Sequence, residues 1–235
     1  LPLISNEQMK LWMKELTEMV ILDTLLSQED RIMNIDFKWI TYTQDEKGKF
    51  SKQTLEAENN FFDKDKVLKT ITTDPSKTAL FQQLVLNDND AAGISYFTNF
   101  SKKAKLIELI NHIAPETYEK MKAINLDLNS EGEVYQFLKK TLLLSNAEMK
   151  NIVDNSHYIF ESLATKCEQG VLKFDLLTVE KLISQKRNEE KRRKEAEEKR
   201  IAEEKARKER IEAAVKKGRS EEHTSELQSH HVISY

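Results

Sequence analysis

Apolar residues recur along most of this chain at three- and four-residue intervals, the spacing that gathers side chains on one face of an α-helix. Met9, Trp12, Leu16, Met19, Val20, Leu22, Leu25 and Leu26 open the series. Ser5-x-x-Gln8 stands before them as a capping box, in which the hydroxyl takes up a free backbone N–H and the Gln side chain returns the favour. We read this stripe as a core face, the commoner use of such a pattern, rather than as a partner-binding groove.

The period then changes. Phe37-Lys-Trp39-Ile-Thr41-Tyr-Thr43 is rich in β-formers, and Asp45-Glu-Lys-Gly48 adds turn chemistry after it. A small hairpin over residues 37–51 is expected, returning through Lys49-Phe50-Ser51 and needing helices to pack on. Helical stretches are expected around Leu55–Phe62 and Val67–Ile71. From residue 74 the helical period resumes. Asp74-Pro75 supplies a cap and a Pro at the first helical position, ahead of Leu80, Phe81, Leu84 and Val85. A short helix over Ala91–Phe100 is expected next. Another carries Leu106, Ile107, Leu109, Ile110 and Ile113, and one starting at Pro115 carries Tyr118, Met121 and Ile124.

Ser130-x-x-Glu133 and Ser145-x-x-Glu148 read as two more capping boxes. Val134, Phe137, Leu138, Thr141 and Leu142 come after the first. Met149, Ile152, Val153, Phe160, Leu163 and Cys167 come after the second, with Gly170 as the stop. A last stripe runs through Leu172, Leu176, Val179 and Ile183. The expected fold is mainly α: a multi-helix bundle with a small β-hairpin near residues 37–51 and a long charged C-terminal helix. The expected organisation is a helix-plus-hairpin region over 1–73, a bundle over 74–184, a charged helix or linker over 185–217, and a separate tail over 218–235.

Charge enters the picture at residue 185. Continuing the last stripe lands on Lys186, Glu190, Arg193 and Glu197, so the apolar seam stops and a coiled-coil dimer has nothing to bury. Glu and cation recur four residues apart instead: Glu189 with Arg193, Glu190 with Lys194, Glu195 with Lys199, Glu203 with Arg207, Glu204 with Lys208, and Glu212 with Lys216. Each such pair contributes about 0.2–0.5 kcal/mol, enough in number to support a helix without a core. Residues 185–217 carry 14 Lys/Arg against nine Glu, and residues 218–235 carry a net of −2. The whole chain carries −3, which leaves −6 for residues 1–184. By composition the arm resembles the isolated charged helices that act as spacers in myosins and similar proteins, which implies a stiff connector. Lys191, Arg192, Arg193 and Lys194 are the candidate contacts for a partner or for nucleic-acid phosphates. Interleaved Glu residues and the lack of any aromatic for base stacking weigh against the nucleic-acid reading.

Five Gly and three Pro in 235 residues are too few for an all-β chain, which needs turns every few positions. One cysteine, Cys167, rules out an internal disulfide framework and fits a cytoplasmic setting. No apolar run is long enough for a membrane span. The chain opens on Leu1, so part of the natural N-terminus is expected to be missing.

Arg219-Ser-Glu-Glu-His-Thr-Ser-Glu-Leu-Gln-Ser-His230 resembles the translation of a widely used DNA sequencing adapter. Ile233-Ser234-Tyr235 resembles its continuation after a variable index encoded by His231 and Val232. The resemblance implies that residues 219–235 are an artefact, that His223, His230 and His231 are no metal site, and that a natural C-terminal part is missing.

Catalytic chemistry has little to stand on. The closest two glycines, Gly132 and Gly170, are 38 residues apart, so no phosphate-cradling loop exists. Cys167, His112 and His157 are too few for a zinc site, and Cys167 sits on an apolar stripe where a free thiol acts as a small hydrophobe. Asp88-x-Asp90-x-Ala92-Gly93 lacks two ligands of a calcium loop, with Asn99 where the bidentate Glu belongs. No cofactor is expected. The leading functional expectation is a non-catalytic interaction or scaffold module, binding an unidentified protein and joined by the stiff helix to a further domain. The alternatives are a regulatory fragment of a larger enzyme and a nucleic-acid-associated protein using the basic arm.

Overall fold

The computed structural model describes residues 4–28, 31, 35–55, 78–86 and 99–230. They form a mainly α protein with one small sheet. Helix α1 (Asn6–Leu26) starts at Ser5, whose Oγ accepts from the Gln8 N–H at 3.2 Å. Next come three antiparallel strands, β1 (Ile35–Gln44), β2 (Phe50–Leu55) and β3 (Thr78–Leu86), in the order β2-β1-β3. The expected hairpin is present and runs on to Leu55. Its turn is tied by Asp45, whose Oδ1 accepts from the N–H groups of Lys47 and Lys49 at 2.9 and 2.8 Å. Gly48 takes φ 82°, which its missing Cβ permits.

Strand β3 corrects the helix expected after Asp74-Pro75. Leu80, Phe81, Leu84 and Val85 suit a helical face, but they also suit a strand covered on both sides, which reads as a nearly continuous apolar run. Here Phe81 lies opposite Ile40 and Leu84 opposite Phe37. The pairing decides the matter physically: a lone two-stranded hairpin is marginal, and a third strand satisfies the open edge of β1. The stretches expected around Leu55–Phe62 and Val67–Ile71, the Asp74-Pro75 cap, and residues 91–98 of the Ala91–Phe100 helix lie outside the described residues, apart from Leu55 itself at the end of β2. The Asp88–Gly93 stretch does too.

Helix α2 (Phe100–Lys103) is capped by Asn99, whose Oδ1 accepts from the Lys102 N–H at 2.9 Å. The helix expected over Leu106–Ile113 is instead one 3-10 turn (Leu106–Leu109) leading into extended chain. Two local causes act. Lys105 adopts the left-handed conformation (φ 55°), and Ala114 precedes Pro115, whose ring disfavours helical geometry in the residue before it. The freed backbone pairs with the segment after Gly170, through Ile113 N–H to Lys173 O at 2.9 Å and Lys173 N–H to Asn111 O at 2.8 Å. That pairing corrects a second expectation. Leu172 and Leu176 are buried, yet on extended chain rather than on a helix.

Helix α3 (Pro115–Asn129) begins at Pro115 as expected. Ser130 does not cap the next helix, α4 (Glu133–Gln136). It ends α3, its Oγ donating to Leu126 O at 2.9 Å, while the Asp127 carboxylate accepts from the Tyr135 N–H at 3.0 Å and does the capping for α4. A π turn (Phe137–Thr141) continues α4. Helix α5 (Asn146–Glu168) carries the full Ser145/Glu148 capping box and ends before Gly170 at φ 68°. The core gathers Ile21 and Leu25 of α1, Ile107, Ile110 and Ile113, Met121 and Leu128 of α3, Ile152, Ile159 and Leu163 of α5, and Leu172.

The chain divides into two compact units, Leu1–Leu182 and Ile183–Tyr235. Helix α6 (Val179–His230) crosses that division as one run of 52 residues, about 78 Å at 1.5 Å per residue. The helix covers the charged arm and continues through Arg219–His230. No helix among the described residues is long and apolar enough to cross a membrane.

Candidate functional site

The first candidate surface lies on α1. Its heptad-like apolar stripe divides into faces with different uses. Leu11, Ile21 and Leu25 are buried, whereas Met9 and Leu16, expected in the core, are 50% and 45% exposed. The reason lies between them. Gln8, Trp12 and Glu15, one turn apart, point at β3 and take the sheet-facing positions. Met13, Leu16 and Val20 then line one wall of an open groove of about 340 Å³, with Leu106, Leu109 and Ile110 on the other. Leu109 is 71% exposed. Asn111 and His112 also line it. His112 Nδ1 sits 2.9 Å from both carboxylate oxygens of Asp175, and Lys166 Nζ donates to Ile110 O at 2.7 Å and to Asn111 Oδ1 at 3.0 Å. Burial holds the Lys166 ammonium below the usual lysine range, with Glu108 opposing.

A second cleft of about 330 Å³ lies between the end of α3 and the start of α5. Leu128, Met149 and Val153 form its floor, and Asn129, Glu131 and Lys150 its polar rim. Lys150 is already paired with Asp154 at 2.7 Å.

The four basic candidates of the arm are all exposed on α6. Successive residues of a helix are 100° apart, so Lys191, Arg192, Arg193 and Lys194 encircle it rather than share a face. Of the expected ion pairs only some form among the described side chains, and that of Glu212 with Lys216 lies outside them. Glu204 meets Lys208 at 2.9 Å, as anticipated. Glu195 and Glu203 reach backward instead, to Lys191 at 3.8 Å and Lys199 at 3.9 Å, and Arg200 meets Glu197 at 2.7 Å. Among the described residues, Arg192, Arg193 and Lys194 have no ion pair.

Cys167 and His157 are not brought together as a thiol–imidazole nucleophile pair would require. They lie ten residues apart on α5, about 15 Å along its axis and on different faces. His157 is exposed and 3.1 Å from Glu161, while Cys167 is half-buried against the core. Asn99 serves as the α2 cap. No group of three His, Cys, Asp or Glu side chains among the described residues is placed to hold a metal ion. The groove on α1 escaped sequence reasoning because Met13, Leu16 and Val20 carry the same spacing as core positions. Only the competing claim of polar Gln8 and Glu15 on the sheet reveals which face is left over. No family model, no curated protein and no solved structure matches this chain.

Proposed function

We propose that the chain is a non-catalytic interaction module extended by a stiff charged helix, which holds whatever it carries at a set spacing. The observation that supports this most is the uninterrupted α6, 52 residues long, in which the last buried apolar position among the described side chains is Ile183. Beyond it the isolated apolar residues Ile201, Ile211 and Val215 are about half exposed, so the helix has no seam to bury against a second helix. Helix propensity and charge pairing along its own surface sustain it. The binding half of the reading rests on the groove of α1, where exposed Met13, Leu16 and Leu109 give an adaptable apolar surface of the kind protein partners use.

The spacer is tested with spin labels at Gln185→Cys and Ala213→Cys in a Cys167→Ser background. Twenty-eight helical residues separate the labels by about 42 Å, and a narrow distribution near that value is expected. A broad distribution centred near 30 Å, the span of a flexible chain of that length, would remove the stiff spacer from the proposal.

A further inference from the structure

We infer that the collar Lys191-Arg192-Arg193-Lys194 binds the phosphate walls of double-stranded DNA, without reading its sequence. Three features of α6 carry this. First, the collar is only partly paired with its negative neighbours. Glu189 and Glu190 form no ion pair with Arg193 and Lys194, and the one contact present, Lys191 with Glu195, is long at 3.8 Å. Further along the same helix, by contrast, Arg200 and Lys208 are held at 2.7 and 2.9 Å. The arm is therefore not uniformly charged. Residues 186–194 carry six cations against two Glu, whereas residues 195–204 carry two cations against five Glu.

Second, the distribution of the four cations around the helix suits a groove rather than a flat surface. An α-helix with side chains is about 10–12 Å across, and the major groove of B-DNA is about 12 Å wide, with phosphates along both walls. A helix lying there needs cations on both flanks, and a run of four consecutive ones supplies them. Arg187 adds a positive charge to the flank that carries Lys191 and Lys194, since positions i, i+4 and i+7 fall within about 60° of arc.

Third, the helix lacks the features that other polyanions and surfaces require. Residues 179–230 contain no Phe, Trp or Tyr, so unpaired bases find nothing to stack on, which disfavours single strands. The described residues of the helix beyond Ile183 present no continuous apolar face to sink into a lipid interface. The major groove of duplex RNA is too narrow and deep to admit it. The −6 carried by residues 1–184 opposes any polyanion. That repulsion is screened over about 8–10 Å at 0.10–0.15 M salt.

The test uses the full chain and a fluorescent DNA duplex of about 20 base pairs and arbitrary sequence, monitored by anisotropy. Three neutralised phosphates give a slope near −2.7 in log affinity against log salt. Binding should therefore weaken about forty-fold between 50 and 200 mM NaCl. Lys191→Glu with Lys194→Glu should reduce affinity by more than about tenfold, and Lys205→Glu with Lys208→Glu, the same change in net charge, by less than about threefold. Lys191→Arg with Lys194→Arg should retain binding. The inference is overturned if no binding appears at 50 mM NaCl, or if the two Glu double variants lose affinity equally. It is also overturned if a duplex RNA or vesicles containing 30% phosphatidylserine compete as well as the DNA.

Discussion

A single serine shows how far the stability of this fold depends on residues that look unremarkable in sequence. Ser27 closes α1 in the left-handed conformation, φ 55°, and is 1% exposed. Its Oγ accepts from three amide groups, those of Asn151 at 2.8 Å, Asn155 at 3.0 Å and Asn99 at 3.3 Å. Asn155 is fully buried and its Oδ1 accepts from Lys102 Nζ at 3.0 Å. One hydroxyl thus fastens α1 to the cap of α2 and to the middle of α5. Ser27→Ala would leave buried donors without an acceptor, a loss of about 1–3 kcal/mol. Ser27→Gly loses the same acceptor but sheds the strain of positive φ, so it should be the milder change by about 0.5–1 kcal/mol. Urea denaturation of both variants checks this, and a Ser27→Ala variant as stable as the parent would mean the knot is not stabilising. None of this is legible in the sequence. The four residues are scattered over 129 positions, and Asn or Ser on a helix carries no mark of its distant partner.

Among the elements, legibility divides according to whether the cause is local. The capping box at Ser145, the Pro start of α3, the Gly stop of α5 and the Asp45–Gly48 turn are each set within a few residues, and each is found in place. Strand β3 and the extended Leu172–Leu176 stretch read as helix in sequence, because each owes its backbone conformation to a strand or segment far away in the chain. The Ile110–Ala114 stretch, by contrast, is broken by the local causes at Lys105 and Pro115 and only then pairs with the segment after Gly170. The edge of β3 makes the point again. Gln8 on α1 offers its side-chain amide as if it were a neighbouring strand, donating to Gln82 O at 2.7 Å and accepting from the Gln82 N–H at 2.9 Å. Trp12 Nε1 donates to the same carbonyl at 3.2 Å, and Glu15 accepts from the Leu84 N–H at 2.9 Å and from Gln83 Nε2 at 2.6 Å. Side chains of one helix therefore cover an edge that would otherwise invite another strand. Burial pushes the Glu15 carboxyl above the usual range, outweighing the Leu84 and Gln83 hydrogen bonds. A folded-state value above the unfolded one means that its contribution to stability is full below the unfolded pKa of about 4.5 and fades as pH rises through the folded value. Glu15→Gln should therefore flatten the stability-versus-pH curve from about pH 4.5 upward. Chemical denaturation at half-unit pH steps would show it, and an unchanged curve would mean that Glu15 is not desolvated at this edge.

At the scale of the molecule, two kinds of stability meet in one chain. The described residues up to Leu182 share a core of α1, α3, α5 and the extended segments between them, so they should unfold together. Beyond Ile183 the described side chains of α6 are mostly exposed, so its stability comes largely from propensity and pairs worth tenths of a kcal/mol, and that part should melt gradually and respond to salt. The seam's end at residue 183 is visible in the sequence because it needs only the spacing of Leu176, Val179 and Ile183. Which cations along the arm stay unpaired is not, because several Glu residues have partners both ahead of and behind them. Ala202→Pro separates the two behaviours. Proline removes an intrahelical hydrogen bond and clashes with the preceding turn, costing about 3 kcal/mol in a helix interior. With no core to hold the turns in place, the helix should break there, and the labels at positions 185 and 213 should report a shorter and broader distance. The cooperative unfolding of the N-terminal unit, monitored by the fluorescence of Trp12 and Trp39, should keep its midpoint, because changes at distant sites with no shared partners do not couple. A lowered midpoint would mean that the arm and the N-terminal unit stabilise one another, and the spacer would then have to be regarded as part of the fold it extends.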